Sequence, residues 1–385
     1  MSLIIFILIL SFLVLIHEFG HFIAAKKNGI KVEEFAIGFP PKLFAIKRGE
    51  TTYTINLLPL GGFVKLFGEE YQEIEGKPLD KTTSSRAFAY KKPYQKALVV
   101  AAGVVMNLVL GIAIYYGIIA YNGFKSDPLP LLFSHTFTFG TQEGRVIATN
   151  LVKNSAAEKA GLKAEDTITE YSINNEGTIT RLTSAEQLIN VIKKSDNKVV
   201  ILGTQNIKTG QVKNVRVIPQ YNKELKRAVI GVNLINGVVI SYKTPVQKLF
   251  AGAMHSYNVL EYNYSTIAQL IKIATKEKDA TLVSGVVSGP IGIYSVINDT
   301  VKTSGEQIVK NLLNIIALLS LSLAVMNILP FPALDGGRMV FVVYEWITGK
   351  QVNKKIEGYT NLAGFIILMV LALLVSANDI IRLIK

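Results

Sequence analysis

Two histidines and a glutamate interrupt the apolar segment at the start of the chain. They belong to the pentapeptide His17-Glu18-Phe19-Gly20-His21, which has the pattern H-E-x-x-H. Residues i and i+4 share one face of a helix, so both imidazoles can bind one metal ion beside the carboxylate. A metal ion activates water, and a neighbouring carboxylate takes the proton as the water attacks a carbonyl. The pattern predicts a hydrolytic metal centre with His17 and His21 as ligands and Glu18 as general base.

The alternative is that His17 and His21 are satisfied core histidines. Against it, burying an acid such as Glu18 at the centre of a bilayer costs roughly 2.5 kcal/mol or more. A catalytic zinc ion needs a third protein ligand and one position left for water. The candidate is Asp335, in the segment MNILPFPALDGGRMV. Asp335 could instead cap a helix that begins near Gly336, but two histidines in need of a third ligand favour the ligand role.

The composition is that of a membrane protein carrying a polar module. The chain has 385 residues, of which 50% are hydrophobic and 18% charged, and its mean hydropathy is +0.35. It has no cysteine, which excludes disulfides, thiolate metal sites and a cysteine nucleophile. The net charge of +13 comes from basic residues that cluster beside apolar segments. This clustering fits the positive-inside rule better than nucleic-acid binding.

Four segments are long and apolar enough to cross a bilayer, which takes roughly 20 residues. The first lacks the basic start and cleavage site of a signal peptide, and we expect it to be retained. The predicted transmembrane helices are residues 1–26, 97–122, 311–335 and 359–379.

The basic residues also predict the orientation of the helices. Residues 27–96 and the short segment between the third and fourth helices are rich in lysine and arginine, so both are expected to be cytoplasmic. The first and third helices then run in the same direction. His17 and Asp335 are therefore expected on the same side of the membrane.

Two motifs together carry a family resemblance. H-E-F-G-H in the first helix and N-x-x-P-x-P-x-L-D-G at Asn327–Gly336 resemble the site-2 protease family of intramembrane zinc metalloproteases, in particular its bacterial RseP type (regulator of sigma-E protease). The resemblance covers nearly the whole chain. It implies His17, His21 and Asp335 as Zn²⁺ ligands, Glu18 as general base and Asn327 as a substrate-binding residue. For Asn327, bonding to neighbouring backbone is the alternative.

Residues 27–96 have the glycine, proline and β-branched content of short strands, with a turn near Arg48–Glu50. They are apolar enough to associate with the membrane. The resemblance implies a β-structure beside the catalytic centre, where a strand edge could pair with an unwound substrate; a small packing sheet is the alternative. In the second helix, Asn107 is expected to bond a neighbouring helix.

The region between the second and third helices alternates strands and helices. Its segment NSAAEKAGLKAED (Asn154–Asp166) resembles the signature of PDZ domains, and a single PDZ-like domain is predicted over residues 133–222. Such domains bind peptide C-termini by strand addition, although a steric filter against bulky substrates is equally compatible. Residues 240–300 are predicted as an amphipathic helix and linker, lying on the membrane or packed on the spans. His135 and His255 lack ligand partners at useful spacing, which predicts structural roles for both.

The predicted fold is a polytopic α-helical membrane protein with four spans, a membrane-associated β-structured loop and one extracytoplasmic PDZ-like α+β domain. The predicted function is zinc endopeptidase action on single-span membrane proteins in the bacterial inner membrane; the resemblance implies anti-sigma factors or remnant signal peptides as substrates. The alternative is a non-catalytic PDZ-bearing scaffold with a structural metal site. A metal transporter would need more intramembrane acids and histidines. The expected partners are substrates, peptide C-termini and the lipid bilayer, and no nucleic acid.

Overall fold

A computed structural model of the protein describes residues 1–69, 85–174, 178–207, 209–278 and 288–384. The chain forms two compact units. One comprises Met1–Ala113, Asp279–Asn298 and Ile315–Lys385, and the other comprises Ile114–Lys278 and Asp299–Asn314.

Four helices are long and apolar enough to cross a membrane, and this prediction is confirmed by their length and composition. Numbered in chain order with the other elements, they are α1 (Ser2–Lys27), α2 (Pro93–Tyr121), α8 (Ile308–Ile328) and α10 (Lys354–Ile384). Within their most apolar windows, no more than a third of the residues are buried against protein. The apolar side chains that remain exposed require a lipid environment.

The third of these helices ends earlier than the predicted residue 335. Helix α8 stops at Ile328, because Pro330 and Pro332 cannot continue its hydrogen bonding. A short loop follows, and Asp335 is the first residue of the next helix, α9 (Asp335–Thr348). Asp335 therefore lies at a helix N-terminus after a loop, whereas the sequence placed it at the end of a span.

Residues 27–96 contain an antiparallel β-hairpin, β1 (Val32–Arg48) and β2 (Thr51–Leu66), whose strands meet at Gly49–Glu50. Each strand bends at its middle, so that residues 34–37 pair with 62–65 on one side and with 52–55 on the other. The bend in β1 falls at Gly38, which has a φ of 81°. A side chain there would meet the Leu58 carbonyl oxygen at 2.5 Å, so only glycine fits.

One end of the hairpin is fixed to α1, while much of its surface stays apolar and exposed. Ala25, Ile30, Val32 and Leu66 are buried together in one cluster. At the turn, Glu50 accepts hydrogen bonds from Lys26 at 2.7 Å and Arg86 at 2.6 Å. The Lys26 contact is the main reason why the pKa of Glu50 lies below its ordinary value. The exposed hydrophobic side chains of the hairpin include Phe39, Leu43, Phe44, Ile46, Leu57 and Leu58.

The second unit is built on a seven-stranded antiparallel sheet with the order β3-β11-β4-β5-β7-β8, in which β6 pairs with β5. The strands are β3 (Leu129–Pro130), β4 (Thr141–Leu151), β5 (Asp166–Ile173), β6 (Thr180–Arg181), β7 (Val200–Asn206), β8 (Val212–Val217) and β11 (Val232–Ser241). A separate two-stranded ribbon joins β9 (Gln220–Asn222) to β10 (Arg227–Val229).

Two helices cover this sheet: α3 (Ala156–Lys159) and α4 (Ala185–Lys194). Helix α4 is capped by Ser184 and buries Leu188 and Ile192, as its amphipathic pattern predicts. The sheet extends beyond the predicted range of 133–222, because β11 lies at its interior between β3 and β4. Strand β11 was missed because its apolar residues run almost directly into the next helical segment.

Three further α-helices are α5 (Pro245–Leu249), α6 (Ala251–Glu277) and α7 (Pro290–Thr303), and short 3-10 helices lie at Phe88–Tyr90 and Gly305–Gln307. Helix α6 is the predicted amphipathic helix. In its apolar stripe, Tyr257, Tyr264 and Ile271 are each at least half exposed, whereas Leu260 is partly buried. Helix α7 begins at Pro290, within the segment Ser288–Ile293. Proline is favoured in the first turn of a helix, and the Asp379 carboxylate accepts the N–H groups of Gly289 and Gly292.

Candidate metal centre

The two histidines of the H-E-x-x-H pattern lie one turn apart on α1 and face the same point. Their Nε2 atoms are 3.2 Å apart, and the rings meet edge to face. His17 is 9% exposed. The arrangement follows from the helix itself, because i and i+4 side chains lie above one another.

The carboxylate of Asp335 completes the cluster from α9. Its Oδ2 atom lies 3.0 Å from Nε2 of His17 and 3.3 Å from Nε2 of His21. These three residues form the only group of metal-ligating side chains found among the described residues. The structure thus brings together the three residues that the sequence singled out as ligands.

The spacing of these three donor atoms fits a zinc ion. Zinc–nitrogen bonds are about 2.0–2.1 Å long, and two ligands at a tetrahedral angle are then about 3.3 Å apart. The observed separations of 3.0, 3.2 and 3.3 Å match this value. With three protein donors, a tetrahedral ion keeps one position open, as catalytic zinc sites do.

The outer nitrogens of the imidazoles face helix α2. Nδ1 of His21 lies 2.8 Å from the Val99 carbonyl oxygen, and Nδ1 of His17 lies 3.4 Å from the Asn107 side-chain amide. Such outer partners orient the ligands of metal sites. The sequence pointed to Asn107 only as a helix-packing residue and gave no signal for Val99, whose contribution is a backbone atom.

Helix α2 also comes close to the imidazoles at Gly103. A methyl group at this position would lie 2.5 Å from Nε2 of His21 and 2.7 Å from Nε2 of His17. Glycine is therefore what leaves space for the donor atoms.

Glu18 lies beside the histidines and contacts the hairpin. Its Oε2 atom accepts a hydrogen bond from the Val64 N–H on β2, at 3.1 Å. One carboxylate oxygen is thus held by the strand, which leaves the other to accept a proton from water. The segment 62–66 of β2 is in turn brought directly against the candidate catalytic group.

A cavity opens at this cluster, and its lining includes Glu18, His17, His21 and Asp335. Its polar wall is formed by Arg338 and Glu69, whose charged groups are 2.5 Å apart. The site therefore combines apolar walls with a charged side formed by Arg338 and Glu69.

The remaining predicted residues lie elsewhere. Asn327 is half-buried in the last turn of α8 and is not among the described residues that line the cavity. In the second unit, Nδ1 of His255 lies 3.2 Å from the Tyr242 hydroxyl, and His135 packs against Phe137. Both contacts are of the structural kind that the sequence led us to expect.

Comparison with known proteins agrees with this geometry. The sequence matches the profile of peptidase family M50 over residues 5–371. It is 34% identical to a predicted zinc metalloprotease of Clostridium acetobutylicum over 382 residues, covering 99% of this chain and 97% of the relative. It is 31% identical to another of Clostridium perfringens, covering 97% of both chains. It is also 28% identical to the regulator of sigma-W protease RasP of Bacillus subtilis, covering 98% of both chains.

Proposed function

The chain belongs to peptidase family M50, the site-2 proteases, and is a zinc metalloprotease of the membrane; on this premise we propose that it cleaves single-span membrane proteins within or near the bilayer. The observation that carries the proposal is the convergence of two imidazole nitrogens and one carboxylate oxygen, from α1 and α9, beside the Glu18 carboxylate.

Each residue of the site has a separate role in this reaction. His17, His21 and Asp335 would hold the zinc ion, which supplies Lewis-acid activation of water when bound. Glu18 accepts the proton of the attacking water on its free oxygen and then delivers it to the departing amide nitrogen. The Val64 N–H keeps Glu18 in place during these transfers, since it occupies the other oxygen.

The hairpin offers a means of presenting the substrate. A helical substrate hides its carbonyls in internal hydrogen bonds, and it must be unwound before water can attack. Segment 62–66 of β2 lies next to Glu18 and could pair with the extended chain. The exposed apolar side chains of the hairpin support its insertion into the bilayer at this position. Asn327, at the end of α8, is proposed to help hold the same chain.

The second unit is proposed to be a PDZ-like domain on the extracytoplasmic side. Its antiparallel sheet, the capped helix α4 and the motif at Asn154–Asp166 support this interpretation. It would act on substrates either by binding their C-termini or by excluding bulky outer domains. The exposed stripe of α6 would rest on the outer surface of the membrane. The bacterial inner membrane is the proposed location.

Anti-sigma factors and remnant signal peptides are the proposed substrate classes. The name of the Bacillus subtilis relative, which calls it a regulator of sigma-W, supports the first class. The alternative function, a non-catalytic scaffold, is disfavoured because structural zinc sites are normally closed by four protein ligands, and only three donors converge among the described residues.

The test is the variant Glu18→Gln, expressed with a tagged single-span substrate. We expect the substrate to accumulate uncut while the zinc content stays at one ion per chain, because Glu18 is not a ligand. Glu186→Gln, an exposed acid on α4, is the matched control and should cleave normally. Cleavage by Glu18→Gln at the wild-type rate would refute the proposal and favour the scaffold.

A further inference from the structure

We propose that Asn107 is a positioning residue for zinc: its side-chain oxygen accepts a hydrogen bond from Nδ1–H of His17 and so keeps the Nε2 lone pair directed at the metal. The inference rests on the metal centre proposed above. It assigns a role to a fully buried polar side chain of α2 (0% exposed).

The first step is the orientation of the imidazoles. Nε2 of His17 and Nε2 of His21 converge with the Asp335 carboxylate. A neutral imidazole carries one proton, so a lone pair on Nε2 requires the proton on Nδ1. Each Nδ1–H group is directed away from the metal and needs an acceptor, because an unsatisfied buried donor costs about 1–3 kcal/mol.

His21 has such an acceptor in the backbone. Its Nδ1 lies 2.8 Å from the Val99 carbonyl oxygen, which can only accept a hydrogen bond. The proton of His21 is therefore fixed on Nδ1.

His17 faces the Asn107 side chain, whose amide can either donate or accept a hydrogen bond. The Asn107 amide nitrogen lies 3.4 Å from Nδ1 of His17, and the Asn107 amide oxygen is buried without a hydrogen-bond partner among the described residues. In that orientation the amide would donate to Nδ1 and keep the proton on Nε2, where it blocks metal binding. A rotation of 180° exchanges the two atoms in the same space and turns Oδ1 into the acceptor that Nδ1–H requires.

The hydrogen bond between α2 and α8 does not use this side chain. The contact with α8 is made by the main-chain oxygen of Asn107, which accepts a hydrogen bond from the Ser320 hydroxyl at 2.7 Å. Substitutions of the Asn107 side chain leave that oxygen in place. The roles in helix packing and in orienting His17 can therefore be separated by mutation.

The experiment compares zinc affinity, by chelator competition, and the visible spectrum of the Co²⁺-substituted protein. Asn107→Leu keeps the volume but has no acceptor. Loss of such an outer partner typically weakens metal binding 10–100-fold, and we expect a loss in this range with an altered Co²⁺ spectrum. Asn107→Asp keeps an acceptor for Nδ1–H and should bind zinc as tightly as the wild type or more tightly.

Which of the two variants binds zinc more tightly distinguishes a positioning role of Asn107 from a purely structural one. A purely structural asparagine would tolerate leucine better than a buried charge, so aspartate would then be the worse replacement. Ser320→Ala serves as the control for helix packing, and it should lower stability without changing zinc affinity. Wild-type affinity in Asn107→Leu, weaker binding in Asn107→Asp than in Asn107→Leu, or an equal loss in Ser320→Ala would each overturn the inference.

His17→Ala, measured in parallel, tests the metal centre itself. If it binds zinc like the wild type, the proposed ligand set is wrong and the role of Asn107 falls with it. If His17→Ala loses zinc while Asn107→Leu does not, the ligand set stands and only the role of Asn107 is refuted.

Discussion

Replacing Gly103 by alanine should weaken zinc binding strongly while leaving the helices intact. The new methyl group would lie 2.5 Å from Nε2 of His21 and 2.7 Å from Nε2 of His17. Carbon atoms normally approach their neighbours to about 3.5–4.0 Å. At least one imidazole must therefore move by about 1 Å, because the opposing backbone of α2 is held in a helix.

The size of the effect follows from the narrow range of metal–ligand distances that zinc sites allow. Distances in real sites stay within about 0.2 Å of their ideal values, so a 1 Å shift takes one nitrogen out of the coordination sphere. A misplacement of this size costs roughly 100-fold in catalytic rate, which corresponds to about 2.7 kcal/mol. We expect proteolysis to fall by at least this factor, and zinc affinity to fall with it because one ligand is displaced.

The assay is zinc content and chelator competition on the purified protein, with helicity measured by circular dichroism. Gly117→Ala is the matched control, since it lies on the same helix and a methyl group there meets nothing within 4 Å. It should bind zinc normally and be slightly more stable, because alanine favours helices. Normal zinc binding by Gly103→Ala would refute the close approach of α2 to the imidazoles.

Three further results are expected. Lys96→Met leaves Glu345 without the buried cation 2.8 Å away. The free energy of unfolding, measured with a chemical denaturant, should fall by roughly 3–5 kcal/mol, and most of this loss should be recovered when Glu345→Leu is added. Equal losses in the single and double variants would contradict this. Burial lowers the pKa of His255 to about 4, below the unfolded value of about 6.5. As the pH falls from 6.5 to 4, the unfolded state therefore binds the proton first, and the free energy of unfolding should fall by about 3 kcal/mol. If His255→Gln shows the same dependence of stability on pH as the wild type, this prediction is wrong. Gly38→Ala should lower the midpoint of thermal unfolding, because φ at this position is 81° and the added methyl group meets the Leu58 carbonyl. An unchanged midpoint would show that the bend in β1 does not require glycine.

The sequence allowed the four membrane helices, and strands on either side of a turn near Arg48–Glu50, to be predicted because their signals are local. The strands were expected to be short, whereas β1 has 17 residues and β2 has 16. An apolar run of more than 20 residues has few alternatives to a spanning helix, and the turn at Gly49–Glu50 follows from glycine beside polar residues. The spacing of His17 and His21 likewise determines their geometry on any helix. These features need no knowledge of distant contacts.

Features that depend on tertiary packing could not be predicted in this way. The contact of Val64 with Glu18 joins residues 46 positions apart, and the closeness of Gly103 to the imidazoles depends on where α2 packs. Strand β11 has an apolar sequence that leads into a helical segment without a clear boundary, and only its pairing with β3 and β4 defines it. Pro330 and Pro332 indicate the loop between α8 and α9. The start of a helix at Asp335 itself could not be predicted, because the sequence was equally compatible with Asp335 as the cap of a helix beginning near Gly336.

The start of α9 at Asp335 has a consequence for how the protein is made. On the proposed ligand set, His17 and His21 bind an ion only after they meet Asp335, which follows His21 by 314 positions in the chain. A ribosome adds about 5–20 residues per second, so the third ligand is made roughly 15–60 s after the two histidines. The membrane that houses this hydrolase is therefore exposed to its activity only after α9 has been made and has packed beside α1.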